Sequence, residues 1–391
     1  MCRFSYFIGA VAVLLLSACA HTPNLAPTLA SLSEVTSFDA SVADGNIHVL
    51  LATKPNHAQR RIVLQYLVSE DGGAHWSAAS VVGEDAHPVV IRGNDVQIAA
   101  ANKQLVAIWQ TQGELPNMGP MVSRYSQDGG KTWHTGSNPA VDNNGDQSHL
   151  DVIADLQGYF HAVWLADPEE NGYQSLRYAR SVDGGVNWQA SQKLDDSTCS
   201  CCWNTLAVSR SGTINLLYRD MKPRDMALLH SSDQGQTWQR ASTVGEFNWQ
   251  FDGCPHIGGG LAVADDGQLY SSVWTGAGSK AGLYTLQSAD QGQHWSVPQL
   301  IGRLASRNDI AVSGQHTAVI WDERIGDNTA IFYAQSGNGG HSWTPPMRLS
   351  EPSMMATHPR IVPTPHGFLA MWTQKQGKQA SHWVAKPLAK E

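Results

Sequence analysis

SEDGGAHW at Ser69–Trp76 returns five times along the chain: SQDGGKTW at Ser126–Trp133, SVDGGVNW at Ser181–Trp188, SSDQGQTW at Ser231–Trp238, SADQGQHW at Ser288–Trp295 and SGNGGHSW at Ser336–Trp343. The first residues of the copies lie 57, 55, 50, 57 and 48 positions apart. That interval is the length of one four-stranded propeller blade, not of a helical repeat. Within a copy, an Asp such as Asp71 or Asp128 can accept hydrogen bonds from the amides of its own turn. The Gly two residues later supplies a positive φ, and the Trp ends the turn by packing into the blade. The Asp residues are therefore read as hairpin locks, and no chemistry is assigned to them. Asn338 replaces Asp in the last copy.

The strand before each hairpin also repeats, as LVAIWQ (105–110), FHAVWL (160–165), INLLYR (214–219), LYSSVW (269–274), TAVIWD (317–322) and FLAMWT (368–373). A shorter apolar strand precedes each. With Phe38–Leu51 near the start, seven three-strand units result, of which only the last lacks a box. The expectation is an all-β propeller of seven four-stranded blades, with six as the alternative. The last blade ends at a third strand, Ser381–Lys386, so Thr28–Val35 is expected to close it and remove a free sheet edge. The pattern resembles the Asp-box, or BNR, repeat of the sialidase superfamily and its non-sialidase relatives, over nearly the whole chain after its leader.

The leader is read separately. Arg3, the apolar stretch Phe4–Leu16 and Leu16-Ser-Ala-Cys19 resemble a bacterial lipoprotein signal. The resemblance implies cleavage before Cys19, lipid on that cysteine and anchoring in the cell envelope, with Ala20 favouring the outer membrane; an ordinary secretory signal is the alternative. The chain then divides into a signal peptide (1–18), a tether (19–27) and a propeller (28–391). A formal charge of −8 with no Lys/Arg run argues against a nucleic-acid partner, and a monomer is expected.

Boxes between third and fourth strands mark the bottom face, so the loops between blades and those between second and third strands share the opposite face. That face collects Arg92, His149, Cys199-Ser-Cys201-Cys202-Trp203, Cys254-Pro-His256, Arg307 and His358-Pro-Arg360. It also carries Arg219-Asp220, Arg224 and Asp322-Glu323-Arg324. These residues are expected to ring an axial pocket for a small-molecule, glycan or protein ligand.

Four cysteines remain after the signal and Cys19, all in two adjacent inter-blade loops. Disulfides are one reading, although near-vicinal cysteines make poor ones. A thiolate metal site is another, with Cys199, Cys201 and Cys202 joined by Cys254 or His256 and holding copper or zinc, and free or redox-active thiols are the third. CxCC followed by a downstream CP resembles a subgroup of Asp-box propellers, which implies no function.

The superfamily resemblance implies a further alternative, an exo-sialidase-type glycosidase. It needs three arginines on the substrate carboxylate, a Tyr–Glu nucleophile pair and an Asp acid. Arg92, Arg307, Arg324 and Arg360 are the candidate arginines, a guanidinium fork matching a carboxylate, and Glu323 is the candidate base. Arg360-Ile-Val-Pro is faintly similar to the family's Arg-Ile-Pro signature but falls in the wrong blade. Tyr284 and Tyr333 fall in third strands, where packing roles are expected, and Lys222-Pro-Arg224-Asp225 reads as a salt-bridged loop.

Overall fold

The computed structural model describes residues 34–54, 61–83, 87–90, 95–113, 119–142, 145–169 and 171–390. Signal peptide, Cys19 and tether lie outside the described residues. The strands form seven antiparallel meanders in chain order. Blade one holds β1 (Glu34–Ala43), β2 (Asn46–Lys54), β3 (Val63–Ser69) and β4 (Ser80–Gly83); blade two holds β5 (Val96–Ala101), β6 (Gln104–Gln110), β7 (Met121–Ser126) and β8 (His134–Thr135). Blade three holds β9 (Gln147–Ala154), β10 (Phe160–Pro168), β11 (Gln174–Ser181) and β12 (Gln192–Thr198); blade four holds β13 (Thr205–Val208), β14 (Ile214–Arg219), β15 (Met226–Ser231) and β16 (Gln239–Val244). Blade five holds β17 (Gly259–Val263), β18 (Leu269–Thr275), β19 (Gly282–Ser288) and β20 (Gln299–Gly302); blade six holds β21 (Ala305–Ser313), β22 (His316–Ile325), β23 (Asn328–Ser336) and β24 (Met347–Arg348). Blade seven holds β25 (Met355–Thr364), β26 (Gly367–Lys375) and β27 (His382–Ala389).

The apolar residues of these strands are buried between blades rather than in one central core. Seven clusters of buried side chains each join two neighbouring blades. Val49, Leu51 and Trp76 of blade one pack with Leu369, Met371 and Trp383 of blade seven, so the circle closes. The first strands adjoin in the same order around the axis, and β1 meets β25. Seven seams decide the blade number in favour of seven.

The expected closing strand, Thr28–Val35, lies outside the described residues up to position 33. Its last two residues, Glu34 and Val35, begin β1 opposite Lys54 and Thr53. Val35 also donates its amide to the Ser381 carbonyl at 2.8 Å, a backbone bond across the closing seam. Among the described residues, blade seven has three strands.

Each box is the turn from third to fourth strand, as its chemistry predicts. Asp71 Oδ1 accepts from the His75 amide at 2.8 Å and from the Ser69 hydroxyl at 2.9 Å, and Ser69 Oγ accepts from the Gly73 amide at 2.8 Å. Asn338 reproduces this set with Ser342 at 3.0 Å and Ser336 at 2.9 Å, because only a carbonyl-type oxygen is required. Hydrogen bonds from the Thr132 hydroxyl and amide hold the Asp128 carboxylate well below its usual range. A group so engaged is a poor general acid.

The box also reaches across the seam. A methyl on Gly130 would strike the Tyr66 ring, one on Gly235 the Tyr178 hydroxyl, and one on Gly73 would stand 2.7 Å from Leu369; each neighbour belongs to the preceding blade. The box tryptophans follow. Trp133 packs edge-on against Tyr66 at 5.6 Å, Trp238 against Tyr178 at 4.9 Å and Trp76 against Trp383 at 5.1 Å. They wedge between blades, where the sequence suggested packing into their own.

Candidate metal centre and axial pocket

Three loops at the axial end of blade four build the sulfur cluster. Cys199–Trp203 joins β12 to β13, Arg219 and Arg224 flank the β14–β15 turn, and Cys254–His256 leads from β16 into β17. The Cys199 amide donates to the Arg219 carbonyl at 3.0 Å, and the Arg224 amide to the Trp249 carbonyl at 2.8 Å, which ties the loops together. The Asp225 carboxylate accepts from the amides of Asn248 at 2.6 Å and Trp249 at 3.2 Å. Lys222–Asp225 is thus an anchored loop rather than a salt-bridged one.

All four sulfurs are unbridged. Cys199 and Cys201 stand 3.8 Å apart at sulfur, against about 2.05 Å in a disulfide. Two donor sets satisfy metal-ligand proximity: Cys199, Cys201 and Cys202 form one, and Cys201, Cys254 and His256 the other, with donor atoms within 4.8 Å of one another in each. Cys199, Cys201 and Cys202 are 1%, 4% and 1% exposed, whereas Cys254 and His256 face solvent. Three sulfurs held about 2.3 Å from one ion stand roughly 4 Å apart, so the spacing suits a thiolate centre.

Within the buried set, Cys199 is the sulfur prepared for negative charge. Arg224 Nη1 donates to Cys199 Sγ at 3.2 Å. Hydrogen bonds from Cys201 and Cys202, aided by the charge of Arg219, hold the Cys199 thiol far below its ordinary value, while burial pushes Cys202 up. Arg219 is fixed by the carbonyls of Ile257, Arg224 and Trp274 at 3.1, 2.7 and 2.9 Å, and it stacks 5.4 Å from the Trp249 ring. Neither guanidinium is paired with a carboxylate in these contacts, and that of Arg224 reaches sulfur.

His256 also lines the axial pocket, together with Gln97, Asp151, Trp203, Arg307, Asp309, His358 and Arg360. First-strand irregularities aim these groups. Ladder shifts between Ala305 and Asn308 and between Thr357 and Arg360 bracket Arg307 and His358. His149, His256 and His358 take left-handed φ of 51°, 56° and 56°. His149 meets the Trp203 ring edge-on at 4.6 Å.

Arg360 crosses the pocket floor. It binds Asp39 at 2.6 Å and lies 3.9 Å from Asp309. Burial opposes its cation, but the charges of Asp39, Asp309 and Asp151 outweigh that and raise its pKa. Burial and the Asp39 charge push Asp151 up to about 7 against the pull of Arg360; burial also raises Asp309 and, with Arg307, keeps His358 well below its ordinary value. These carboxylates stitch the axis as well. Asp39 accepts from the Ile98 amide at 2.9 Å, Asp151 from Leu206 at 2.6 Å and Asp309 from Ile361 at 3.0 Å, each in the next blade.

The remaining candidates are dispersed. Arg307 pairs with Asp322 at 3.1 Å on the pocket wall. Glu323 and Arg324 do not line the pocket: Glu323 accepts from the Trp321 indole at 2.9 Å, and exposed Arg324 donates to the Gly326 carbonyl at 2.9 Å. Arg92 lies outside the described residues. Tyr333 and Tyr284 pack in the seams, as their strand positions predicted. Sequence reading missed the Arg224–sulfur contact and the carboxylates around Arg360, since no local motif marks either.

The model of the BNR repeat-like domain matches residues 38–244 and 158–359, and the chain belongs to that family. Its propeller is similar to that of an ulvan lyase described as a new family of polysaccharide lyase, PL25, at 10% identity and a TM-score of 0.60, covering 92% of this chain and 96% of that one. It is also similar to a protein of unknown function from Dyadobacter fermentans, at 12% identity and a TM-score of 0.52 over the same shares. A Trypanosoma rangeli sialidase in complex with difluorosialic acid aligns at 13% identity and a TM-score of 0.50, over 78% of this chain and 56% of the sialidase. No curated protein matches the sequence. At such identities the likeness concerns the fold.

Proposed function

We propose that this BNR propeller is a cell-envelope protein that holds a soft metal ion, copper or zinc, through Cys199, Cys201, Cys202, Cys254 and His256 beside an axial ligand pocket. One observation carries the reading: loops from two blade junctions bring four unbridged sulfurs and one imidazole into two donor sets of metal-ligand spacing. Soft sulfur donors select copper(I) or zinc. His256 belongs both to a donor set and to the pocket wall, so a ligand entering the pocket meets the centre.

The test is metal analysis with a thiol count on protein purified without oxygen. Near-stoichiometric copper or zinc is expected. Protein that takes up neither and has no titratable thiol would overturn the reading in favour of disulfides.

The glycosidase alternative draws support from the arginines in the pocket and from the glycan-processing enzymes that share the fold. The local charge weighs against it. Arg360 already faces Asp39, Asp309 and Asp151, and Arg307 faces Asp322, so an incoming carboxylate meets fixed anions. Among the described residues lining the pocket there is neither Tyr nor Glu. Turnover of a fluorogenic sialoside, lost in Arg360→Ala, would revive the alternative; no turnover by the wild type retires it for sialic acids. Envelope anchoring through Cys19 is read from the leader alone, and its check is loss of palmitate labelling in Cys19→Ser.

A further inference from the structure

Resting on the metal reading above, we propose that the two donor sets are successive positions of one copper(I) ion, which enters at Cys201, Cys254 and His256 and moves inward to Cys199, Cys201 and Cys202. The first ground is the gradient of exposure. Cys254 and His256 face solvent, and His256 lines the axial pocket, while Cys199 and Cys202 are each 1% exposed and cannot meet an ion arriving from outside. The second is the shared atom: Cys201 Sγ lies within ligand distance of both sets, so one bond can persist while the others exchange.

Charge and coordination number select the metal. The inner set offers three sulfurs, and among the described residues no further His, Cys, Asp or Glu joins it within ligand reach. Zinc in a closed protein site takes four donors, whereas copper(I) is satisfied by two or three soft ones. Copper(I) with three thiolates carries two negative charges, opposite which stand the guanidinium of Arg224, 3.2 Å from Cys199, and that of Arg219, which is bonded to the Arg224 carbonyl. Zinc there would leave a net positive charge in a buried site, where an unbalanced ion is costly.

The inward step is ligand exchange without redox change. Bonds from the ion to Cys254 Sγ and the His256 nitrogen break as bonds to the Cys199 and Cys202 sulfurs form. The protons displaced from Cys199 and Cys202 pass to the departing Cys254 thiolate and to solvent, and the ion stays copper(I).

The experiment loads the full chain anaerobically with copper(I) buffered by bicinchoninate, following the loss of the coloured chelate and the copper that resists later chelator challenge. Wild-type protein should show a fast uptake followed by slower acquisition of chelator resistance. Cys254→Ser, at an exposed position, should slow uptake roughly tenfold, and Cys254→His, which restores a donor, should recover most of the rate. Cys199→Ser should keep the fast uptake and lose chelator resistance, with near-UV circular dichroism checking its fold. Uptake by Cys254→Ser at the wild-type rate, or chelator-resistant copper in folded Cys199→Ser, overturns the relay. Protein that holds zinc but no copper(I) also overturns it while leaving the metal reading standing; protein that holds neither brings down both.

Discussion

The two faces of the ring use the same residue types to opposite ends. On the box face, six side-chain oxygens of Asp or Asn repeat one arrangement, each satisfied inside its own turn. On the axial face the repeat is partial: Asp39, Asp151 and Asp309 each reach the next blade yet share one arginine, and the sulfurs occur only at the two junctions that flank blade four among the described residues. Repetition here marks what every blade needs in order to stand beside the next. Departure from the repeat marks where the ring spends stability on something other than standing.

That contrast can be broken by substitution. The largest effect is expected from Cys201→Ser, which removes the atom common to both donor sets; bound copper or zinc should fall to background by elemental analysis while the far-UV spectrum is kept. Next comes Arg360→Met. It leaves Asp39 buried without its partner, so urea unfolding should show a loss of about 3 kcal/mol.

On the box face the two glycine positions of the motif should separate. Gly235→Ala drives a methyl into Tyr178 across the seam and should cost about 2 kcal/mol in the same assay. Gly129→Gln should cost about 1 kcal/mol or less, because that position opens to solvent and Gln234 and Gln291 occupy its counterparts at φ 62° and 58°.

Asp151 gives a smaller, pH-dependent effect. Its folded pKa is raised to about 7, above the unfolded value, so the native state binds the extra proton. Its contribution is full below the unfolded pKa and is lost as pH rises towards 7. Unfolding midpoints of the wild type should decline across that window, and Asp151→Asn should flatten the decline. Asp183→Asn should be the mildest change, with no shift in midpoint, since Asn338 already serves the same turn.

The boxes were legible because their chemistry is local: Ser, Asp, Gly and Trp satisfy one another within eight residues, and the spacing then counts blades. The cysteine cluster was legible for a related reason, as CSCCW and Cys254 stand in two adjacent inter-blade loops of a repeat whose other such loops carry no cysteine. What stayed hidden depends on closure. Arg360 and Asp39 are 321 residues apart and meet only because the last blade returns to the first. Glu323 and Arg324 misled for a geometric reason: β22 and β23 pair as far as Ile325 and Asn328, and the ladder carries both residues beyond the pocket. Arg224 was read as part of a salt-bridged loop because its partner is a sulfur in a blade junction 25 residues away.

The glycine that lets each box nestle against its predecessor acts as a gear tooth. Gly73, Gly130 and Gly235 engage the neighbouring sheet at the same point of the motif, which sets the angle at which one sheet meets the next. The number of sectors in the wheel is then written into a turn of eight residues, and a chimera that transplants those turns together with the side chains they mesh with should inherit the donor's sector count.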